Sequence, residues 1–517
     1  MRTHSPMPPP AQRPIVLERS RPEDADHHGL VWMVLPADFL TPVTAFLRLR
    51  AGGREPGLLE SAEGPERLAR HSFLPCDPDA RLLADEDGRV QVEGVPGADG
   101  ATEGPLLARL VALAAPRVAA PPPGLPPFLG GWVGALSYTW AGELEPRVAA
   151  AARAAGQRPS GEPMADFRRY PTVVAFDHAA QRLYLVRRCP EGGTGFQDAM
   201  TRLEGIAEDL AQPAPPSSAF EVGSLEPRSS LDRAGYVAGV EALAEAIRQG
   251  EVFQAVLARR LEWDFVGDPF TLYRMLRLTN PAPHMFYFSS GGRTLVGSSP
   301  ERLVSVTGRR VQNRPIAGTR PRHAVEAEDR RLGAELLADA KERAEHDMLV
   351  DLARNDLGRI ARTGTVEVVE RAVLERFARV QHLVSRVECD LAAPFGPLDA
   401  LAAAFPAGTV SGAPKVRAME LLAALEPVAR GAYAGAFGYL DDYGNLDTAI
   451  VLRTFVANHD APSPDGGRHE VRGTVAIGAG AGIVHDSRPE AEFLETEHKA
   501  RAVAEALELA AREGDLR

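Results

Sequence analysis

The sequence predicts an α+β fold in two domains, and three observations carry this. Strand-like and helix-like runs both recur along the 517 residues, without the regular βαβ alternation of a parallel sheet. The stretch QPAPPSSAFEVGSLEPRSS at 212–230, dense in Pro and Ser, reads as a linker. With 25% charged and 44% hydrophobic residues the composition is that of an ordinary globular protein. The length suits two large domains or three at ~150 residues each. The expected divisions are a flexible Pro-rich tail at 1–20, an N-terminal domain at 21–211, the linker, and a C-terminal domain at 231–517.

Taken in chain order, PPPGLPP at 121–127 reads as a loop leading into a buried strand within the apolar segment 128–138. Residues 147–163, rich in Ala, Arg and Gly, read as a surface excursion. Strands are predicted at 172–177 and 182–187, joined by a turn. A helix is predicted at 232–249 from the stripe Val237, Val240, Ala244 and Ile247, with Gly250 at its end. Further strands are predicted at 252–261, 294–297, 432–439, 449–457 and 471–477. Further helices are predicted at 340–360, 414–425 and 489–512. No repeat with a period of 20–50 residues is visible.

The formal charge, 58 Lys+Arg minus 70 Asp+Glu, is −12, which argues against general nucleic-acid binding but not against a local pocket for a small anion. No run of ~18 apolar residues occurs, so no membrane span is expected. The N-terminal MRTHSPMPPPAQRP has no apolar core of a secretory signal. Cys76, Cys189 and Cys389 form neither a CxxC pair nor a zinc spacing, so a reduced, cytoplasmic enzyme is expected.

Two acidic helices stand out. In KERAEHDMLVDLARNDLGRI, at 341–360, Glu345 shares a stripe with Met348 and Leu352. It is either a carboxylate paired with Arg or Lys at the rim of the core, or a metal ligand. In RPEAEFLETEHKA, Glu492, Glu495 and Lys499 share one face. That face is either solvated, with a helix pair contributing ~0.3–0.5 kcal/mol, or converges with Glu345 on a hard cation such as Mg²⁺. The run IGAGAGIV at 477–484 is either a tight strand-to-loop turn or a set of backbone N–H groups approaching an anion. It matches neither GxGxxG nor a Walker pattern. FPAGTVSGAPKVRAMELL at 405–422 is either a capped helix or an anion site at a helix N-terminus.

Together these segments resemble the chorismate-utilising enzymes, and among them anthranilate synthase component I. The match spans about 230–510 and keeps the family's motif order. It comprises SSPERLV, RPIAGTRPR, ERAEHDMLVDLARNDLGR, VQHLVS, FPAGTVSGAPKVRAMELL, RGAYAGAFGYLDDYGNLDTAIVLRT and GAGIVHDSRPEAEFLETEHKA. The N-terminal match is thinner. It rests on LLES at 58–61 and GGWVGALSY at 130–138, where Ala135, Leu136 and Thr139 replace the usual aromatic and acidic residues.

The resemblance implies two packed, mostly antiparallel sheets flanked by helices, with chorismate as substrate. It implies Mg²⁺ on Glu345 and Glu495, with Glu342 and Glu492 as neighbouring or additional ligands. By the same matching, Tyr433 and Arg453 bind the enolpyruvyl carboxylate. Lys499 and the backbone of Gly480, Ala481 and Gly482 complete the anion cradle. Glu301 is the general acid for the departing 4-hydroxyl, His382 assists loss of pyruvate, and Thr409 positions substrate. Gln254 stands where isochorismate-forming relatives resemble one another in having a lysine that acts as base on water; a carboxamide cannot do this, and ammonia needs no such base. Ala317, in the segment with Gly318 and Thr319, replaces the nucleophilic lysine typical of aminodeoxychorismate synthase component I.

The implied activity is therefore anthranilate formation in tryptophan biosynthesis, a carbon–oxygen lyase reaction. The implied partner is a separate glutamine amidotransferase subunit, since no cysteine here sits in a GxCxG context. Aminodeoxychorismate synthase component I and 2-amino-2-deoxyisochorismate synthase are the alternatives. Tryptophan is the expected inhibitor, held by Leu59, Glu60 and Ser61 together with Asn280, Pro281, Met285 and Phe286.

Overall fold

The computed structural model describes residues 15–61, 70–98, 100–102, 104–114, 121–189, 195–216, 218–377, 380–460 and 469–515. Most of the expected tail, 1–14, lies outside these. Its end does not stay loose, because Glu18–Arg19 pairs with Met33 and Val34.

Among the described residues two large sheets form, one of 14 strands and one of 12, with antiparallel ladders. Apolar residues pack in three layers. Between the sheets lie Phe73, Phe128, Phe288 and the stacked pair Phe286 and Phe437, whose ring centroids are 4.0 Å apart. Outside the larger sheet pack the helices Pro42–Ala51, Phe196–Ala211, Pro269–Thr279 and Pro489–Asp515. Outside the smaller sheet pack Leu106–Leu113, Ala340–Gly358 and Pro397–Ala404. Each helix buries one apolar stripe and each sheet covers its second face on the other sheet, so few apolar faces are left in water. No helix among the described residues is long and apolar enough to cross a membrane.

Both sheets mix strands from either side of 212–230. Leu58–Glu60 pairs with His284–Ser290 in the larger sheet, and Gly131–Leu136 pairs with Ala436–Asp441 in the smaller. The expected linker itself supplies Phe220–Val222 and Arg228–Ser229, which pair with the long strand Gln254–Gly267.

Local predictions meet the structure closely where pattern and neighbours agree. The strands Thr172–Asp177 and Arg182–Arg188 pair in register, and the helix Arg233–Arg248 starts at Asp232, whose side chain accepts from Gly235 N–H at 2.8 Å. Three expectations are corrected. Residues 147–163 begin with the helix Pro146–Ala154, whose Val148 is buried. The strand expected at 449–457 is two strands, Leu446–Ile450 and Thr454–His459, broken where Arg453 takes φ 47°. The strand expected to end at 477 runs on through the glycines as Val471–Ile483.

Candidate active site

The helix Ala340–Gly358 starts at Asp339, whose side chain accepts from the N–H groups of Lys341 (3.0 Å) and Glu342 (3.2 Å). Its buried stripe is His346, Leu349, Val350, Ala353 and Leu357, one residue on from the stripe read in the sequence. Glu345, Met348 and Leu352 therefore stand half-buried beside the core rather than in it. Burial raises the pKa of Glu345, and the charges of Glu342 and Glu495 raise it further. Glu342 is itself held by Arg320, whose Nη1 donates to Oε1 at 3.1 Å.

The helix Pro489–Asp515 brings Glu492, Glu495 and Lys499 to the same place. Burial, and then the neighbouring Glu495, raise Glu492, against a hydrogen bond from Ser487. Lys499 Nζ lies 2.7 Å from Glu495 Oε1 and donates to Gly480 O at 2.9 Å. Two helices far apart in sequence thus aim carboxylates at one another. Among the described residues no three His, Cys, Asp or Glu side chains are gathered into a ready-made metal cage. An ion that keeps several waters and takes only one or two carboxylates plus a substrate oxygen suits this arrangement. The residues fit Mg²⁺ on that ground: hard oxygen donors, in mutual repulsion that a cation relieves.

The glycine run is a strand because its ladder partner is Gln254–Gly267: Gly480 pairs with Ala258, Ala481 with Leu257 and Gly482 with Val256. Its other neighbour, Thr454–His459, pairs only over Gly473 to Ala476. Beyond Ala476 that edge has no further strand ladder among the described residues, so the cradle expected of a loop is here the edge of a sheet. Side chains are missing because the site is crowded. A Cβ on Gly478 would lie 2.1 Å from Tyr433 Cγ, and one on Gly482 would lie 2.8 Å from Gln254 Nε2. Gln254 is buried, and its Oε1 has no hydrogen-bond partner. A buried acceptor left in this state points to a donor from outside the chain.

Glu301 accepts a hydrogen bond from Thr409 Oγ1 at 3.0 Å. Its surroundings push its pKa up to about 8 by burial, which the Thr409 bond partly opposes. Such a carboxyl carries a proton near neutral pH. Thr409 lies in the short turn Gly408–Val410, which closes on the helix Ala340–Gly358: a Cβ on Gly408 would collide with Leu352.

His382 sits on Val380–Asp390, beside Ile316–Pro321, the strand that contains Ala317, Gly318 and Thr319. Its Nδ1 donates to Gly318 O at 2.9 Å and lies 3.1 Å from Thr319 Oγ1, which makes Nε2 the basic nitrogen of the neutral ring. Gly318, at φ 65°, packs against Glu342 and Leu336.

Tyr433 lies over Gly478 and Gly480, with its phenol pushed up to about 12 by burial. Arg453 Nη1 donates to Asn280 Oδ1 at 3.3 Å. Asn280 ends the helix Pro269–Thr279, and its carbonyl accepts from Ser298 Oγ.

In the segment expected to hold an inhibitor, Glu60 pairs with Met285 and Leu59 with Phe286. Met285 and Phe286, consecutive on one strand, face opposite sides: Met285 joins the helix-side core and Phe286 the core between the sheets. Their side chains are not brought to one pocket. Glu60 is buried and accepts from Tyr273 Oη (2.5 Å) and Arg277 Nε (3.0 Å), while Ser61 directly follows that strand.

Several site-supporting residues escaped the sequence reading. Arg259, buried on Gln254–Gly267, donates to Thr496 Oγ1 at 2.9 Å and lies 4.6 Å from the Phe493 ring, fixing the helix of Glu492 and Glu495. His346 Nε2 lies 2.6 Å from Ser385 Oγ and ties the Glu345 helix to the His382 strand. Arg430 and Glu426 form a buried pair behind Tyr433. The signal for His346, Arg430 and Glu426 was position alone, within or just beside a motif already quoted; Arg259 stands five residues on from Gln254.

Comparison with known proteins shows the family. The profile of the family described as chorismate binding enzyme matches residues 60–505. The chain belongs to that family. Anthranilate synthase component 1 of Streptomyces coelicolor is 43% identical, covering 91% of this chain and 87% of its own. That of Pseudomonas putida is 41% identical, covering 92% and 94%. The crystal structure of anthranilate synthase component I from Streptococcus pneumoniae superposes with a TM-score of 0.69 at 32% identity, covering 84% of this chain and 92% of that one. The menaquinone-specific isochorismate synthase of Escherichia coli shares the fold, with a TM-score of 0.63 at 19% identity, covering 93% and 95%. Within the chorismate binding enzymes this chain is therefore similar, over nearly its whole length, to anthranilate synthase component 1 proteins.

Proposed function

We propose that this chain converts chorismate and ammonia to anthranilate, pyruvate and water. Ammonia bonds to ring C2 as the 4-hydroxyl leaves, giving 2-amino-4-deoxyisochorismate. Loss of the C2 proton and cleavage of the C3–O bond then release pyruvate and leave an aromatic ring.

The single observation that carries this reading is Gln254. Its buried, unpartnered Oε1 accepts an N–H of ammonia and holds the nitrogen at the substrate. It has no basicity with which to activate water, and ammonia needs none. Protonated Glu301, steadied by Thr409, gives its proton to the departing hydroxyl, which leaves as water. His382, held through Nδ1 by Gly318 O, assists the second step at Nε2. Arg453 and Tyr433 take the enolpyruvyl carboxylate, and Lys499 with the Gly480, Ala481 and Gly482 edge takes the remaining anionic groups. Ala317 offers no nucleophile at C2, so nitrogen attacks directly. Glu345 and Glu495 hold Mg²⁺, which when bound neutralises the ring carboxylate, with Glu342 and Glu492 beside them.

Ammonia comes from glutamine through a separate amidotransferase subunit. Three buried, unoxidised cysteines suit a cytoplasmic enzyme. Tryptophan, bound near Leu59, Glu60, Ser61, Asn280 and Pro281, inhibits. The Arg453–Asn280 contact supports such a link between the two sites. The test is product identification by mass and fluorescence. The isolated chain forms anthranilate from chorismate, Mg²⁺ and ammonium salt, but not with glutamine. Release of an aminodeoxychorismate, or efficient glutamine use by the chain alone, overturns the reading.

A further inference from the structure

Arg430 is a buried cation whose two terminal nitrogens each reach an element of the candidate site. Its Nη1 donates to Val410 O at 2.6 Å, in the turn that carries Thr409. Its Nη2 donates to Val256 O at 2.6 Å, on the strand that begins with Gln254. Its guanidinium lies 4.4 Å from the Tyr138 ring centroid and 5.9 Å from that of Tyr433. Glu426 grips it from behind, accepting from Nε at 2.8 Å and from Nη2 at 2.6 Å. Glu426 also accepts from Ala258 N–H at 3.0 Å, the residue that pairs with Gly480. Both side chains are almost wholly excluded from solvent, at 3% and 4% exposure. A planar fork with donors in fixed directions can hold two backbone carbonyls and a carboxylate at once, in a geometry that an ammonium does not fix.

We infer that Arg430, clamped by Glu426, is a positioning residue that registers the Thr409 turn, Tyr433 and the Gln254 strand on one another. It does not touch the reacting atoms. It sets where Thr409 meets Glu301 and where the Tyr433 ring lies over the glycine strand. The inference rests on the roles proposed above for Thr409 and Tyr433.

The test uses Arg430→Lys and Glu426→Asp, which keep the buried charges balanced, with folding checked by circular dichroism and thermal melts. In ammonia-dependent turnover of the full chain, each folded variant loses kcat by about tenfold or more and raises the KM for chorismate. A double-mutant cycle supplies the decisive readout. Added to Thr409→Val, Arg430→Lys lowers kcat by a clearly smaller factor than it does in the wild type, because one of the contacts it serves is already gone. A merely structural role lowers the melting temperature while the folded fraction keeps its kcat and KM, and that outcome overturns the inference. So does a fully additive cycle, and so does failure of both variants to fold. If Thr409→Val alone keeps normal kcat, the fault lies instead with the proposed role of Thr409 and Glu301.

Discussion

Nη1 of Arg453 donates to Oδ1 of Asn280 across 3.3 Å. One residue is expected to hold a substrate carboxylate, the other to line an inhibitor site. Arg453 sits in a left-handed conformation at the break between two strands, with its carbonyl accepting from Ser298 N–H at 3.2 Å. The two expected sites are therefore in direct contact through this hydrogen bond.

The first prediction follows from this contact. Tryptophan inhibits turnover, and chorismate weakens tryptophan binding by the same factor that tryptophan weakens chorismate binding. Ser61→Arg, which crowds the site beyond the strand Leu58–Glu60, relieves inhibition and leaves uninhibited kcat unchanged. Paired calorimetric titrations measure the reciprocity. Activity indifferent to tryptophan at about millimolar concentration, the weak end of ordinary affinities, removes the regulatory reading.

A second prediction concerns pH. Glu301 must be protonated to act as an acid, and burial pushes its pKa up to about 8. The value of kcat/KM for chorismate therefore falls as pH rises through about 8. Stability moves the same way. The folded carboxyl holds its proton more tightly than the unfolded one, whose ordinary value is 4.5. Its contribution is full below that value and is lost as pH rises through about 8. Glu301→Gln removes turnover and makes the melting temperature less sensitive to pH across this window. An unchanged alkaline limb in wild-type kinetics argues against Glu301 as the acid.

For the metal, Glu345→Ala and Glu495→Ala remove nearly all activity without unfolding the chain. Calorimetry with Mg²⁺ in the presence of chorismate shows binding to the wild type and its loss in both variants. Near-normal turnover by both variants at saturating Mg²⁺ would refute the assignment.

The glycine strand offers a steric test. Gly478→Ala places a methyl group 2.1 Å from Tyr433 Cγ, and that ring cannot bend away. The KM for chorismate rises by about tenfold or more. Gly482→Ala meets the end of the Gln254 side chain at 2.8 Å, and its effect falls chiefly on the apparent affinity for ammonia. Equal KM values for wild type and Gly478→Ala break the link between Tyr433 and substrate.

Much of this was legible in the sequence, and the exceptions share a cause. The strands at 172–188 and the helix after Asp232 follow from apolar pattern and capping, which are local. The glycine run misled because glycine usually marks a turn; here it makes room for the Tyr433 ring, which arrives from a distant segment. The break at Arg453 was unreadable because nothing local favours a left-handed arginine. Motif matching brought Glu345, Glu495, Glu301 and Lys499 into view, but not Arg320 on Glu342 or Arg430 on Val410. Such pairings cross elements, and no periodicity encodes them.

The mixing of early and late strands also fixes an order of events during synthesis. Val471–Ile483 fills the gap between Gln254–Gly267 and Thr454–His459. Until it has left the ribosome, those two strands keep bare hydrogen-bonding edges, and the part of the larger sheet that holds the N-terminal strands is not joined to Gln254–Gly267. Nascent chains of this protein thus remain open to pairing with one another until that strand has been made. The helix Pro489–Asp515, which carries Glu495 and Lys499, follows it in the chain. The carboxylate cluster therefore cannot assemble before the larger sheet has all its strands.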